Sequence, residues 1–145
     1  MNTKVMLLAF GCLFMPMLGA AQSWIQFSCP TTTQLVRGLC RSNCDNPKRD
    51  YDYTATNTYK DENGNTGNLN WGGGGGEYAD YLGACAPLSV NNVVQCLYVP
   101  NTAHSATSSQ NTVISANPAF TSCKVLNNVL TSGCLFQCTL LQKSS

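Results

Sequence analysis

Alternating hydrophobic and polar residues predict several short β-strands. Residues 51–59 alternate throughout, Asn63-Gly64 is a strong turn signal, and residues 69–71 can return as a partner strand. Residues 22–28 and 112–115 predict two more strands. These segments indicate at least one β-hairpin.

A second hairpin is predicted around Asn91-Asn92, with residues 87–90 and 93–99 as its strands. Between the two hairpins, five consecutive glycines at 72–76 offer no side chains to pack. Since glycine loses much conformational freedom when it is ordered, we expect a flexible loop there.

Both ends of the chain carry hydrophobic residues at helical spacing. Leu35, Val36 and Leu39 give a partial stripe after Pro30, a residue typical of a first helical turn. Asn117-Pro118 can begin a second helix. Its stripe recurs at steps of three and four residues: Phe120, Cys123, Leu126, Leu130, Cys134, Cys138 and Leu141.

Six of the nine cysteines form two triplets with the same internal gaps of ten and three residues, and two more lie between the triplets. They are Cys29, Cys40 and Cys44, then Cys85 and Cys96, then Cys123, Cys134 and Cys138. On a helix, eleven residues amount to three turns plus about 20°, so each triplet would share one face. An even cysteine count predicts disulfides formed in an oxidising compartment.

Helical geometry sets an expectation for the pairing. Residues four apart on a helix have Cβ atoms about 6 Å apart, whereas a disulfide needs roughly 3.5 to 4.5 Å. Cys40–Cys44 and Cys134–Cys138 should therefore not close. We expect Cys40 and Cys44 to bond to the C-terminal triplet, and the middle pair to bond to each other or to the first cysteine of each triplet.

The N-terminal residues read as a secretory signal peptide, 1–21. Lys4 precedes an apolar run at 5–19, which ends in small residues and is too short to span a bilayer. A retained membrane anchor is the alternative. Residues 22–145 then form one soluble exported domain, secreted or periplasmic, and no later apolar run is long enough to cross a membrane.

Charge disfavours nucleic-acid binding. Eight Lys and Arg residues oppose seven Asp and Glu residues, and no basic stripe stands out. The best binding candidates lie in the polar, aromatic and glycine-rich insert at 45–84, because Tyr and Trp suit recognition surfaces. They are Tyr51, Tyr53, Trp71, Tyr78 and Tyr81. Covering a small core is the alternative role for these rings.

Catalytic signatures are weak, so enzymatic activity is less expected than binding. His104 is the single histidine, and no nucleophile elbow accompanies it. A Glu77/Asp80 pair could serve a carboxylate-based glycan hydrolase. Asp61-Glu62-Asn63-Gly64-Asn65 imitates the first half of a calcium loop, but a tight turn explains the same residues. We expect no metal site and no cofactor.

One resemblance bears on function. Cys29-Pro30, the glycine-tryptophan region at Trp71 and Cys96-Leu97-Tyr98 give a Cys-Pro … Trp … Cys-x-Tyr outline. This outline resembles small, uncharacterised, cysteine-containing exported proteins of gram-negative bacteria, some of which live inside host cells. The resemblance implies export and a host-facing role, and it brings no catalytic residues.

Together these patterns predict a single α+β domain stapled by disulfides, with cysteine-bearing terminal helices around a short β-hairpin region. The expected function is non-catalytic recognition of a protein or glycan outside the cytoplasm. The alternative is a small secreted hydrolase that acts on glycans. The sequence does not specify the ligand or the oligomeric state.

Overall fold

The computed structural model describes residues 23–46, 48–86, 93–105 and 110–141. The expected signal peptide lies outside these ranges, and so do the expected first strand and turn of the second hairpin, residues 87–92. The described residues form one antiparallel sheet of nine strands. The strands are β1 Trp24–Ser28, β2 Val36–Ser42, β3 Asp50–Asp61, β4 Thr66–Gly75, β5 Tyr81–Ala86, β6 Gln95–Val99, β7 Thr112–Ala116, β8 Phe120–Asn127 and β9 Leu135–Leu140.

The predicted α+β class is wrong, because the fold is a nearly closed, barrel-like antiparallel sheet. In the described ranges, helical structure is limited to single turns at Thr32–Gln34, Thr102–Ser105 and Leu130–Ser132. The expected terminal helices are instead β2, β8 and β9. A spacing of four residues is an even number as well as roughly one helical turn, so it fits a strand face as well as a helix face. On β9, Phe136 and Cys138 are buried while Leu135, Gln137 and Thr139 are only half-buried, which is strand periodicity.

Strand order along the sheet is β5-β6-β7-β4-β3-β1-β9-β8, and β2 also pairs with β3. The β3–β4 hairpin is the longest pairing, from Tyr51 opposite Gly75 to Lys60 opposite Thr66. The predicted turn between them is confirmed: Gly64 has a φ of 81°, which glycine adopts without a Cβ penalty. The edge of β3 that faces away from β4 is shared by two strands. It pairs with β2 at residues 50–54 and with β1 at residues 60–61.

The glycine run is not the flexible loop that we expected. Most of it belongs to β4, which pairs with β3 on one side and β7 on the other. A Cβ at Gly73 would overlap the Val113 carbonyl oxygen, and one at Gly74 would overlap the Arg41 guanidinium. Glycine is used here for close approach between neighbouring segments.

Alternate residues of most strands point into one core. Phe27 lies near its centre, with ring centroids 5.8 Å from Trp71, 5.5 Å from Phe120 and 5.8 Å from Phe136. Tyr98, Ile114 and Phe136 are each fully buried, so the interior is a packed core.

Two disulfides link the β5–β6 end of the sheet to residues that flank β1 and β9. No pairing among the described residues connects β5 or β6 with β1 or β9. Instead Cys29, after β1, bonds to Cys96 of β6, and Cys85 of β5 bonds to Cys134, before β9. We call this boundary the seam: the β5–β6 edge on one side, and residues 29–31 and 130–134 on the other.

The other two disulfides are local, which corrects the expected pairing. Cys40 bonds to Cys44, and Cys123 bonds to Cys138 directly opposite on β8 and β9. Cys40–Cys44 closes because the chain turns after β2, with Asn43 at a φ of 54°, and does not continue as a helix.

Of the expected bonds for the middle pair, Cys29–Cys96 is present, whereas Cys85 bonds to Cys134 and not to Cys96 or Cys123. The expectation of a disulfide-bonded, cysteine-rich chain is confirmed. Four intramolecular disulfides indicate an oxidising environment for the folded chain.

A candidate binding cleft at the seam

The five aromatic residues predicted to bind do not form one surface. Tyr53 and Trp71 are buried in the core, at 4% and 2% exposure. The Tyr53 hydroxyl donates to the carbonyl oxygens of Gly76 and Glu77, both at 2.9 Å. Burial raises the pKa of Tyr53, which keeps this hydroxyl a donor. Both residues therefore serve the core, the alternative role considered from the sequence.

Tyr51 belongs to an ionic cluster on the β2–β3 side of the sheet. The Arg37 guanidinium lies over its ring, 4.8 Å from the centroid, and also donates to the Glu77 carbonyl oxygen at 2.8 Å. The Glu77 carboxylate pairs with Arg49 at 3.3 Å and with Arg37 at 3.9 Å. Tyr51 is half-buried, and the Arg37 guanidinium covers one side of its ring.

Tyr78 stacks on His104, with centroids 3.8 Å apart and an interplanar angle of 12°. His104 Nδ1 lies 2.8 Å from Asp80 Oδ2, which also accepts the backbone N–H of Asn101 at 2.8 Å. Burial acts to raise the pKa of Asp80, but the hydrogen bonds from Asn101 and His104 outweigh it and hold that pKa below its usual value. These contacts fasten residues 101–104 to residues 78–80.

Tyr81 differs from the other four candidates because its side chain is accessible. It begins β5, is 52% exposed, and lines an open cleft of about 830 Å³ along the seam. Four segments supply most of the lining: residues within 26–34, residues 57–60 of β3, residues 80–82, and residues within 130–135. This volume falls in the range of about 300 to 1,000 Å³ that is usual for small-ligand sites.

The cleft opens where β1 leaves β3. The two strands pair only at Ile25 and Gln26, and beyond that point the Asn57 side chain replaces the backbone ladder. Asn57 Nδ2 donates to the Ser28 carbonyl oxygen at 2.7 Å, while its Oδ1 accepts the Trp71 indole N–H at 2.8 Å. The Asn57 amide therefore links Ser28, which lines the cleft, to Trp71 in the core.

The wall at residues 31–34 is held by its own side chains. Gln34 Oε1 accepts the Thr31 backbone N–H at 2.8 Å, and the hydroxyls of Thr31 and Thr33 lie 2.9 Å apart. The hydroxyl of buried Tyr98 donates across the seam to the Pro30 carbonyl oxygen. Burial raises the pKa of Tyr98, so this donor keeps its proton at any ordinary pH.

Tyr59 supplies a second ring to the cleft and was not among the predicted binding residues. It is half-buried opposite Gly67 on β4, where a Cβ would overlap the tyrosine ring. The missing side chain of Gly67 thus lets the ring lie across the neighbouring strand. A tyrosine facing a glycine on a paired strand is a local sequence signal for this arrangement.

Charge is nearly absent from the cleft. Among the described lining residues only Lys60 and Asp80 are charged, and Asp80 is already engaged by Asn101 and His104. Most of the others carry hydroxyl or amide groups, and leucines add apolar contact at 82, 130 and 135. The lining therefore suits an uncharged ligand with many hydroxyl or amide groups.

The geometry does not favour the predicted catalytic pair. Glu77 is bound by two arginines, and Asp80 has a lowered pKa, whereas the acid of a glycoside hydrolase needs a raised pKa to carry its proton. The hydroxyl of Ser105 donates to the Thr102 carbonyl oxygen at 3.2 Å. His104 pairs with Asp80 and stacks on Tyr78.

The calcium-like segment is a tight turn. Asp61 Oδ1 accepts the backbone N–H groups of Asn63 at 2.9 Å and Asn65 at 2.8 Å, so this carboxylate is used inside the turn. Over the described residues, no group of three His, Cys, Asp or Glu side chains is placed to hold a metal ion. Within the same ranges, no helix reaches the length and hydropathy that membrane crossing would require.

No known protein family, curated protein or solved structure matches this chain. The function is therefore argued from the cleft and its chemistry.

Proposed function

We propose that this chain is an exported, non-catalytic recognition protein that binds its partner in the seam cleft. The disulfides, which form in oxidising compartments, support a location outside the cytoplasm. The resemblance to small exported bacterial proteins is in keeping with a host-facing or envelope-facing role.

The observation that carries the proposal is a preformed cleft with an accessible aromatic ring. Disulfides and side-chain hydrogen bonds fix the walls before any ligand arrives, so little ordering opposes binding. Tyr81 offers a ring with few rotatable bonds at the rim of this cleft. A rigid, open and nearly uncharged cleft suits binding better than proton transfer.

A steric plug tests the location of binding. Thr131→Trp places a large ring in the wall formed by residues 130–135, and Leu39→Trp introduces the same ring at a residue of β2 that is 84% exposed and does not line the cleft. The mature, oxidised protein is passed over arrays of envelope and host-surface glycans and proteins. We expect at least one component to be retained by the wild type and Leu39→Trp, and lost by Thr131→Trp.

Turnover separates binding from hydrolysis. Any retained glycan is incubated with wild type, Glu77→Gln and Asp80→Asn, and the products are analysed by mass spectrometry. We expect no product from any of the three. Products that appear with wild type and vanish with either variant would identify a hydrolase and refute the proposal, as would the absence of plug-sensitive binding.

A further inference from the structure

We propose that the ligand of the seam cleft is a neutral oligosaccharide, with Tyr81 as the ring on which a sugar unit stacks. This inference rests on the proposed function and specifies its ligand class. Three features of the cleft support it: the spacing across the seam, the charge of the lining, and the exposure of Tyr81.

Spacing argues against an extended peptide that inserts as a strand along the seam. Neighbouring strands lie about 4.8 Å apart, so an inserted strand needs about 9.6 Å between its two neighbours. The Cα atoms of Cys85 and Cys134 are 6.6 Å apart across the seam, and those of Cys29 and Cys96 are 5.9 Å apart. The seam is too narrow at both disulfides for another strand.

Charge argues against anionic ligands. Lys60 is the single cationic side chain among the described lining residues, and the clusters of Arg37, Arg41 and Arg49 lie outside the lining. Those arginines are paired with Glu77, Asp50 and Asp52. A sulfated or phosphorylated glycan would meet too few cations in the cleft for charge-assisted binding.

The remaining chemistry matches a sugar ring. A pyranose carries hydroxyl groups around its edge and C–H groups on its faces, so it needs hydrogen-bonding side chains beside an aromatic ring. Thr58, Thr66 and Thr131 bring hydroxyls to the lining, and Tyr81 brings an accessible ring. Tyr59 provides a second, half-buried ring within the same cleft.

Calorimetric titration of the full mature, oxidised protein tests the ligand class. The neutral probes are hexasaccharides of glucose, galactose, mannose, xylose and N-acetylglucosamine, and the anionic probes are hexamers of heparin and polygalacturonate. We expect a neutral hexasaccharide to bind. Tyr81→Ala should weaken it by about tenfold or more, while Tyr81→Phe and Leu39→Ala should leave it within about twofold, because stacking needs the ring and not the hydroxyl.

The outcomes separate this inference from the proposed function. Binding of anionic probes alone, or plug-sensitive capture of a protein without any neutral sugar, would overturn the inference and leave the proposed function standing. Neutral-sugar binding that Thr131→Trp does not affect would also overturn it, since the sugar would lie elsewhere. If no component binds in a way that Thr131→Trp abolishes, both the inference and the proposed function are overturned. Circular dichroism of each variant confirms that the fold is retained.

Discussion

Single polar side chains at the seam and in the core hold backbone groups that strand pairing leaves unpaired. Tyr53 binds two carbonyl groups next to the end of β4, Asn57 joins β1 to β3, and Tyr98 reaches Pro30 across the seam. A buried carbonyl without a partner is costly, so each of these residues is required by position and not only by hydrophobicity. Their neighbours in sequence give no hint of such roles.

At the scale of a single residue, Asp80 gives a prediction about stability in acid. Its pKa is lowered in the folded chain, so its contribution to stability is fully present above the unfolded value of about 3.9 and is lost as the pH falls through the folded value. Asp80→Asn should therefore be less stable than wild type at pH 7 and lose less stability between pH 5 and pH 2. Urea unfolding at both ends of that range measures this, and equal acid sensitivity of the two proteins would contradict it.

At the scale of elements, β4 is the strand whose sequence is most unusual. Its glycines permit two close neighbours, β7 beside Gly73 and the Arg41 side chain over Gly74. Arg41 uses this approach to reach Asp50 at 2.9 Å and Asp52 at 3.1 Å. The absence of side chains at Gly73 and Gly74 therefore allows β7 and Arg41 to pack closely against β4.

Adjacent glycines of β4 provide a matched pair of variants. Gly73→Ala should destabilise the fold by about 1 to 3 kcal/mol, because the new methyl group overlaps backbone atoms of β7. Gly72→Ala should be neutral or stabilise by up to about 1 kcal/mol, since nothing lies within 4 Å of its Cβ position. Urea unfolding of both variants gives the comparison, and equal effects would refute the role assigned to Gly73.

Local signals in the sequence predicted part of this sheet correctly. Alternation at residues 51–59, the Asn63-Gly64 turn and residues 112–115 all lie in the strands or turn expected of them. The glycine run was misread because missing side chains look the same in a loop and in a closely approached strand. The cysteine triplets were misread because a step of four fits both periodicities.

The cleft could not be predicted from local pattern. Tyr81 and Thr131 reach the same cleft from distant parts of the chain, and the disulfide pairing brings those parts together. Eight cysteines allow 105 pairings, and spacing alone did not select the observed one. Among the aromatic candidates, burial separated Tyr81 from Tyr53 and Trp71, and burial depends on the complete sheet.

At the scale of the whole molecule, covalent bonds complete what the hydrogen-bonded ladder leaves open. Cys29–Cys96 spans 67 residues and Cys85–Cys134 spans 49. In the chain-entropy model each bond stabilises the fold by about 4 kcal/mol. Cys40–Cys44 spans only four residues, for which the same model gives about 2 kcal/mol. The two long bonds therefore dominate the stability contributed by cross-links.

Paired alanine variants test this ranking. Cys29→Ala/Cys96→Ala should lose about 4 kcal/mol of unfolding free energy or more, because both sulfurs are also buried in the core. Cys40→Ala/Cys44→Ala should lose about 2 kcal/mol or less, since that bond is short-range and lies near the surface. Guanidinium unfolding of the two double variants measures both values. The reverse order would contradict a seam that depends on its long disulfides.

Peptide mapping of the unreduced protein tests the seam most directly. Digestion with trypsin and chymotrypsin, stopped by acid, separates all eight cysteines, and mass spectrometry then identifies the linked fragments. We predict that the Cys29 fragment is linked to that of Cys96, and the Cys85 fragment to that of Cys134, with Cys40 linked to Cys44. A link from Cys29, Cys96, Cys85 or Cys134 to any other cysteine would contradict the seam, and with it the cleft and the function proposed for it.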